Sequence, residues 1–192
     1  FTVIAASMVA LNTDNLKRRL AYSTVSQLSY IILSAAILAP LSLVGATLHI
    51  AAHALGKITL FFAAGCIYTA AHKTEVSQFD GIGRSMPWTM TAFTIGALSI
   101  IGIPPFIGFM SKWYIMSGAL SAGRLSIAAV FLLSTLLNAA YLLPIVHRAF
   151  FRTPVHDDHH SHHGEAPWPM VVAICLTAAG TLFAALFPEI LM

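Results

Sequence analysis

The chain has 192 residues, of which 58% are hydrophobic and only 9% are charged, and its mean hydropathy is +0.82. Soluble domains carry about a quarter charged residues, so this composition excludes an ordinary soluble enzyme and predicts a protein whose solvent is the lipid bilayer. The formal charge of +3 fits lysines and arginines held in cytoplasmic loops, and we expect no nucleic acid as a partner.

The apolar stretches predict an all-α polytopic membrane protein with about six crossings, because a spanning helix needs roughly 20 mostly apolar residues. The first stretch, 1–11, is too short to span and begins at Phe1, so we expect the end of a truncated helix there. The whole chain, 1–192, is predicted to be a single transmembrane domain and a fragment of a longer protein. The predicted transmembrane helices cover 20–39, 43–72, 88–120, 125–151 and 168–192, and a histidine-rich loop covers 152–167.

The stretch 88–120 is too long for one upright helix at about 1.5 Å per residue. It contains Gly102 and the pair Pro104-Pro105, which interrupt a helix. It is therefore either two helices around a Pro-Pro turn, or one crossing made of two half-helices and broken near 102–108, as transporters often build near the midplane.

The basic residues of the loops favour the broken crossing. With one crossing, most loop lysines and arginines fall on one side of the membrane and only Arg124 lies on the other. With two crossings, Arg148 and Arg152 change sides, which weakens the asymmetry that the positive-inside rule predicts. The loops that the broken crossing puts in the cytoplasm are 12–19, 73–87 and 148–167.

Lys57 lies near the middle of the predicted helix 43–72, where a charged amine costs about 2.5 to 3.5 kcal/mol on insertion scales. His49 and His53 precede it at intervals of four residues. Each interval turns a helix by only about 40° and rises about 6 Å, so the three side chains share one face. Because about 6 Å exceeds hydrogen-bond reach, waters would have to bridge these groups.

These residue types suit proton transfer inside a membrane. Histidine accepts and releases protons around neutrality, and a lysine shielded from water gives up its proton more readily than an exposed one. The alternative is that the histidines only donate hydrogen bonds across a helix bundle while Lys57 extends towards an interface. Three titratable groups on one face at mid-membrane favour a proton relay through His49, His53 and Lys57.

Lys112 follows the Pro-Pro break directly, where broken helices expose carbonyls that hold water or ions. We interpret it as a gate or terminal proton site, with a lysine reaching one interface as the alternative. Lys17 lies beside two arginines and is by itself explained as part of an orienting positive cluster. Asn138 and Tyr141 are candidates for lining a hydrated path, although packing explains them as well.

The loop HDDHHSHHGE, from His156 to Glu165, is a candidate zinc or nickel site because imidazole and carboxylate groups bind these metals. It lacks a regular ligand spacing, so we favour a solvated loop with no metal. A metal-sensing function remains the corresponding alternative. The candidate ligands are His156, His159, His160, His162 and His163.

Three motifs resemble a known family, the antiporter-like subunits shared by Mrp-type multisubunit sodium/proton antiporters and respiratory complex I. They are NLKRRLAYSTVSQLSY, LHIAAHALGKITLFFAAG and GIPPFIGFMSKW, in this order. The resemblance implies fourteen core helices with two inverted five-helix repeats, each containing one broken helix. This chain would cover the second repeat and the final helix.

The resemblance also implies functional residues. Lys57 with His49 and His53 would form the central proton relay, Lys112 would be the terminal lysine of the second half-channel, and Lys17 a further functional lysine. The family's essential glutamate and first broken-helix lysine belong to the first half, which this sequence does not include. Complex I members often have an acidic residue where this chain has Trp113, which makes it look more like the D-type subunits of Mrp antiporters.

The resemblance implies a proton-translocating subunit of a multisubunit monovalent cation/proton antiporter in the bacterial inner membrane. Its partners would be other membrane subunits, protons and Na⁺, with no resident cofactor and no catalytic chemistry of its own. The alternative is the same module in the membrane arm of complex I, in a membrane-bound hydrogenase or in an inorganic-carbon uptake complex. The sequence does not identify the cation or the direction of transport.

Overall fold

The computed structural model describes residues 1–153 and 164–187, and the ordered segments in both ranges are helical. The helices are α1 (Thr2–Asn12), α2 (Leu16–Ala36), α3 (Pro40–Ala71), α4 (Ile82–Ser85), α5 (Pro87–Ile101), α6 (Ile107–Ser121), α7 (Leu125–Phe151) and α8 (Trp168–Leu186), with a 3₁₀ turn at Val76–Gln78. This agrees with the all-α prediction.

The length and apolar composition of α3, α7 and α8 allow each of them to cross a membrane. Helix α2 has 21 residues, but polar side chains along one face lower its hydropathy. It begins at Leu16 rather than at residue 20, because the Asn15 side chain accepts a hydrogen bond from the Arg18 amide and caps the helix. Helix α3 ends where His72 adopts a left-handed conformation, with φ of 53°.

Helices α5 and α6 form one broken crossing that runs antiparallel to α3. A Cβ placed on Gly118 would meet Ser42 near the start of α3, and one on Gly45 would meet Ile115. Further along α3, a Cβ on Gly56 would meet Ile100, and one on Gly96 in α5 would meet Leu60. As the residue number on α3 rises from 42 to 60, the number of its partner falls from 118 on α6 to 96 on α5. Two antiparallel helices would instead reverse this order, so the structure supports the broken crossing.

The break itself depends on close backbone approach. Gly102 ends α5 with a φ of 85°, a conformation that glycine adopts without strain. Gly108, in the first turn of α6, packs so tightly that an added Cβ would overlap the carbonyl oxygen of Ser99. The two half-helices are thus held together by backbone contact on either side of residues 102–106.

Gly108→Ala is therefore expected to destabilise the protein, because the backbone of Ser99 cannot rotate away as a side chain could. Overpacking of this kind costs about 1–3 kcal/mol and occasionally more. Gly65→Ala is the matched control, since its Cβ would meet only the Met170 methyl group, at 3.9 Å. Both changes replace a helical glycine by alanine. Thermal unfolding in detergent measures the difference, and equal stability of the two variants would contradict this packing.

The three predicted cytoplasmic loops meet at one end of the helix bundle. The Asp14 carboxylate accepts hydrogen bonds from the Ser77 amide, at 3.1 Å, and from its hydroxyl, at 2.6 Å. Asp80 lies 3.9 Å from a guanidinium nitrogen of Arg148 and 3.5 Å from one of Arg152. These contacts put the described parts of the three loops at the same end of the bundle, as the count of basic residues requires.

Glu165 links the start of α8 to the start of α5. Its carboxylate accepts hydrogen bonds from the Trp88 amide, at 2.6 Å, and from the Thr89 hydroxyl, at 2.7 Å. Free amides at a helix N-terminus favour a negative charge, so this carboxylate acts as a cap supplied from another part of the chain.

Candidate functional site

His49 connects three helices inside the bundle. Its Nε2 atom lies 2.9 Å from the Gln27 amide oxygen on α2, and its Nδ1 atom lies 2.9 Å from the Ser111 hydroxyl on α6. The ring also stacks on Tyr30, with centroids 5.1 Å apart. Both ring nitrogens are therefore engaged, and His49 joins the helix of Lys57 to the helix of Lys112.

His53 is the next group along the same face of α3. Its ring centroid lies 6.4 Å from that of His49, and the two ring planes differ by 24°. The side chain is 8% exposed, and its Nε2 atom has no hydrogen-bond partner among the described residues. A buried ring nitrogen without such a partner is a natural position for a bridging water.

Lys57 lies one further interval along α3 and is 6% exposed. Its amine donates hydrogen bonds to the Leu20 carbonyl, at 3.1 Å, and to the Ser23 hydroxyl on α2. These neutral acceptors replace water around the amine without supplying a compensating charge. Isolated charges are costly to bury, so these two hydrogen bonds are the described contacts that stabilise the amine here.

Lys112 reaches back across the break in the crossing. Its amine donates hydrogen bonds to the Ile100 and Ile101 carbonyls, each at 2.9 Å, which belong to the last turn of α5. The C-terminal end of a helix carries partial negative charge and attracts a cation. The amine also lies 5.8 Å from the centre of the Tyr30 ring. Lys112 therefore caps the first half-helix from the second, and its charge affects the stability of the break.

Helix α7 carries a row of buried polar side chains. Ser134, Asn138 and Tyr141 are fully buried, and the Tyr141 hydroxyl donates a hydrogen bond to the Asn138 side-chain oxygen. The Asn138 amide nitrogen and the Ser134 hydroxyl have no partner among the described residues. Tyr141 also lies close to Ser23, the residue that accepts from Lys57. The polar surface around Lys57 thus extends onto α7.

Lys17 is not part of this buried group. It is exposed, and its amine lies 4.7 Å from the centre of the Tyr68 ring, a cation–π contact near the end of the bundle. The buried basic residue of that turn is Arg19, which is 8% exposed. Its guanidinium donates to the Thr13 carbonyl, at 2.7 Å, and to the Tyr141 carbonyl, at 3.1 Å.

Neither buried lysine has a carboxylate within ion-pair distance among residues 1–153 and 164–187. The ion pairs in these ranges join Asp80 to arginines at the end of the bundle. The arrangement therefore contains two buried amines without a described carboxylate partner, with His49 and His53 on the same face of α3 as Lys57. Such groups can take up and release protons, and no described carboxylate fixes a positive charge on either amine.

Comparison with known proteins decides the family. Residues 1–138 match the family described as NADH:quinone oxidoreductase/Mrp antiporter, transmembrane. The chain belongs to this family. The resemblance found in the three sequence motifs is confirmed, and the chain is an antiporter-like membrane subunit homologous to subunits of Mrp complexes and complex I.

Relatives of this antiporter-family chain are considerably longer. NADH-quinone oxidoreductase subunit N of Desulforudis audaxviator is 39% identical over 197 residues, which cover 97% of this chain and 39% of the relative. A chain of the Mrp complex from Dietzia sp. DQ12-45-1b superposes with a TM-score of 0.90 at 23% identity, covering 99% of this chain and 43% of that one. A chain of the membrane-bound sulfane sulfur reductase, an archaeal respiratory membrane complex, superposes with a TM-score of 0.85 at 28% identity, covering 94% of this chain and 30% of that one. The chain spans about two fifths of the curated relative.

Residues 154–163 of the histidine-rich loop fall outside the described residues, so the structure gives no account of His156, His159, His160, His162 or His163. Within the described residues, no group of three or more histidines, cysteines and carboxylates is placed to hold a metal ion. The preference for a solvated loop over a metal site stays a prediction.

The polar partners of the titratable groups were not predicted from the sequence. Ser23, Gln27 and Tyr30 occur at intervals of four and three on α2, which puts them on one helix face. That spacing was a usable signal, because polar residues in the middle of a spanning helix usually face other protein groups. Ser111 immediately precedes Lys112 and carried no comparable signal.

Proposed function

We propose that this chain is the second half of a proton-translocating subunit in a multisubunit monovalent cation/proton antiporter. The observation that carries the proposal is the pair of buried lysines without a carboxylate partner among the described residues, with His49 and His53 buried on the same helix face as Lys57. The other membrane subunits of such a complex would be its partners.

Protons would move by changes at individual nitrogen atoms. A proton released from the Lys57 amine leaves a neutral amine that still donates to the Leu20 carbonyl and the Ser23 hydroxyl. His53 Nε2, which no described residue contacts by a hydrogen bond, would take up that proton through a bridging water. His49 lies next along α3 and contacts Ser111 on α6, so further waters would bridge His53 to His49 and His49 to Lys112, the second amine. The Ile100 and Ile101 carbonyls would accept hydrogen bonds from the protonated Lys112 amine.

The side of the membrane follows from charge. The end of the bundle where the three loops meet carries most of the basic loop residues, so we place loops 12–19, 73–87 and 148–167 in the cytoplasm. Lys17 would contribute through its position at this end, where it helps to orient the chain. The membrane would be a bacterial inner membrane.

A second candidate is the same module in a redox-driven complex. It is favoured by the 39% identity to a chain named as a subunit of NADH-quinone oxidoreductase. The residues of the relay would act identically there, because the difference lies in what drives the proton and not in the buried groups. The subunits that purify with the full-length protein distinguish the two candidates.

The test is ion exchange by the intact protein with its co-purifying subunits in sealed vesicles. A preformed pH gradient should collapse when Na⁺ or another monovalent cation is added, and it should persist when the cation is replaced by an impermeant one. A gradient that responds only to a quinone and a reductant would instead favour the redox-driven complex. Absence of proton movement under either condition would contradict proton translocation.

A further inference from the structure

Ser111 occupies a position with two competing acceptors. Its hydroxyl oxygen lies 2.9 Å from His49 Nδ1 and 2.9 Å from the Gly108 carbonyl oxygen, and the side chain is fully buried. A hydroxyl has one hydrogen, so Ser111 can donate to only one of these two atoms at a time. The choice depends on whether His49 Nδ1 itself carries a hydrogen.

The Gln27 contact determines the state of the other ring nitrogen. An amide oxygen only accepts, so His49 Nε2 must carry a hydrogen while it faces Gln27 Oε1. In the neutral ring, Nδ1 is then a bare acceptor and Ser111 donates to it. In the doubly protonated ring, Nδ1 donates, so Ser111 must accept and turn its hydrogen to Gly108.

Rotation of the Gln27 amide gives the second neutral form of the ring. The amide nitrogen of Gln27 has no partner among the described residues and could donate to Nε2 after the rotation. Nδ1 would then carry the hydrogen, and Ser111 would again turn towards Gly108. The direction of the Ser111 hydrogen bond therefore reports whether Nδ1 is protonated.

Gly108 lies at the most tightly packed point of the broken crossing. Its carbonyl oxygen lies 3.3 Å from the position that a Cβ on Gly102 would occupy, next to the stem of Lys112. Lys112 follows Ser111 directly and holds the last carbonyls of α5. A change in hydrogen bonding at the Gly108 carbonyl consequently acts on the turn that positions Lys112.

We propose that Ser111 is a positioning residue that couples protonation of His49 to the start of the second half-helix beside Lys112. A proton gained at His49 Nδ1 remains there as an N–H group, while the Ser111 hydrogen rotates from Nδ1 to the Gly108 carbonyl. No covalent bond of Ser111 breaks. This inference rests on the proposed function of Lys57 and Lys112.

The first test is proton exchange by Ser111→Ala in the full-length protein with its partner subunits. The expected loss is about 10- to 100-fold, by analogy with the range typical of groups that orient a metal-binding histidine. Ser111→Thr keeps the hydroxyl and is expected to restore most of the activity. Ser121→Ala is the matched control, because Ser121 makes the same bond within α6, to the Gly118 carbonyl at 3.0 Å, far from His49.

The second test is nitrogen NMR of the same proteins with labelled histidine, the His49 signals being assigned by their loss in His49→Gln. In Ser111→Ala the Nδ1 signal should move to the position of a ring nitrogen without this hydrogen bond, and in Ser121→Ala it should not move. An unchanged Nδ1 signal or wild-type exchange in Ser111→Ala would overturn the inference. If Lys57→Ala is inactive in the same assay, failure of the Ser111 tests leaves the proposed function standing.

Discussion

Replacing Lys57 by alanine is expected to lower proton-coupled exchange at least about a hundredfold, the loss typical of removing a proton-transfer group. The amine donates to a backbone carbonyl and to the Ser23 hydroxyl, and alanine removes the only titratable group at this position of α3. The measurement is the rate at which a cation collapses the pH gradient in vesicles that contain the assembled complex.

Two further variants show whether Lys57 must release its proton. Lys57→Arg keeps a positive charge, but a guanidinium does not lose its proton in proteins, so this variant should be as inactive as Lys57→Ala. Lys73→Ala removes a lysine from the loop after α3 and should exchange at the wild-type rate. Normal exchange by Lys57→Arg would mean that only the charge at this position matters, which contradicts a relay.

Replacing Lys112 by alanine is expected to lower proton-coupled exchange by a similar factor. Its amine binds the Ile100 and Ile101 carbonyls across the break, so alanine removes both the proton site and the cation at the end of α5. If the two lysines lie on one path, the Lys57→Ala/Lys112→Ala variant should be no slower than either single variant.

Assembly has to be measured beside transport for Lys112. Recovery of the complete set of co-purifying subunits with Lys112→Ala, together with lost exchange, is the expected combination. Independent losses that multiply in the double variant would indicate two separate paths. Normal exchange by Lys112→Ala would remove this residue from the relay.

The sequence predicted the elements that depend on local pattern. Apolar length indicated the spanning helices, and intervals of four placed His49, His53 and Lys57 on one face of α3. The broken crossing followed from the length of 88–120 and from charge asymmetry, which are both properties of the chain alone. The packing order along α3 then supported it.

What the sequence did not predict depends on how helices face one another. Lys17 and Arg19 look equivalent in a basic turn, but two residues turn a helix by about 200°, so one is exposed and the other is buried. Asn15 extends α2 by one turn and puts both residues inside the helix. Small polar residues such as Ser111 are common in membrane helices, and only the approach of α6 to α3 gives this one a histidine partner.

A hydrated connection between His53 and the Lys57 amine is the central requirement of the proposed relay. An experimental structure of the full-length protein in its complex, at a resolution that shows ordered water, tests it most directly. We expect a water within hydrogen-bond distance of His53 Nε2 that also bonds a further water or the Lys57 amine. A dry site, with an apolar side chain from elsewhere in the complex packed against Nε2, would contradict the relay.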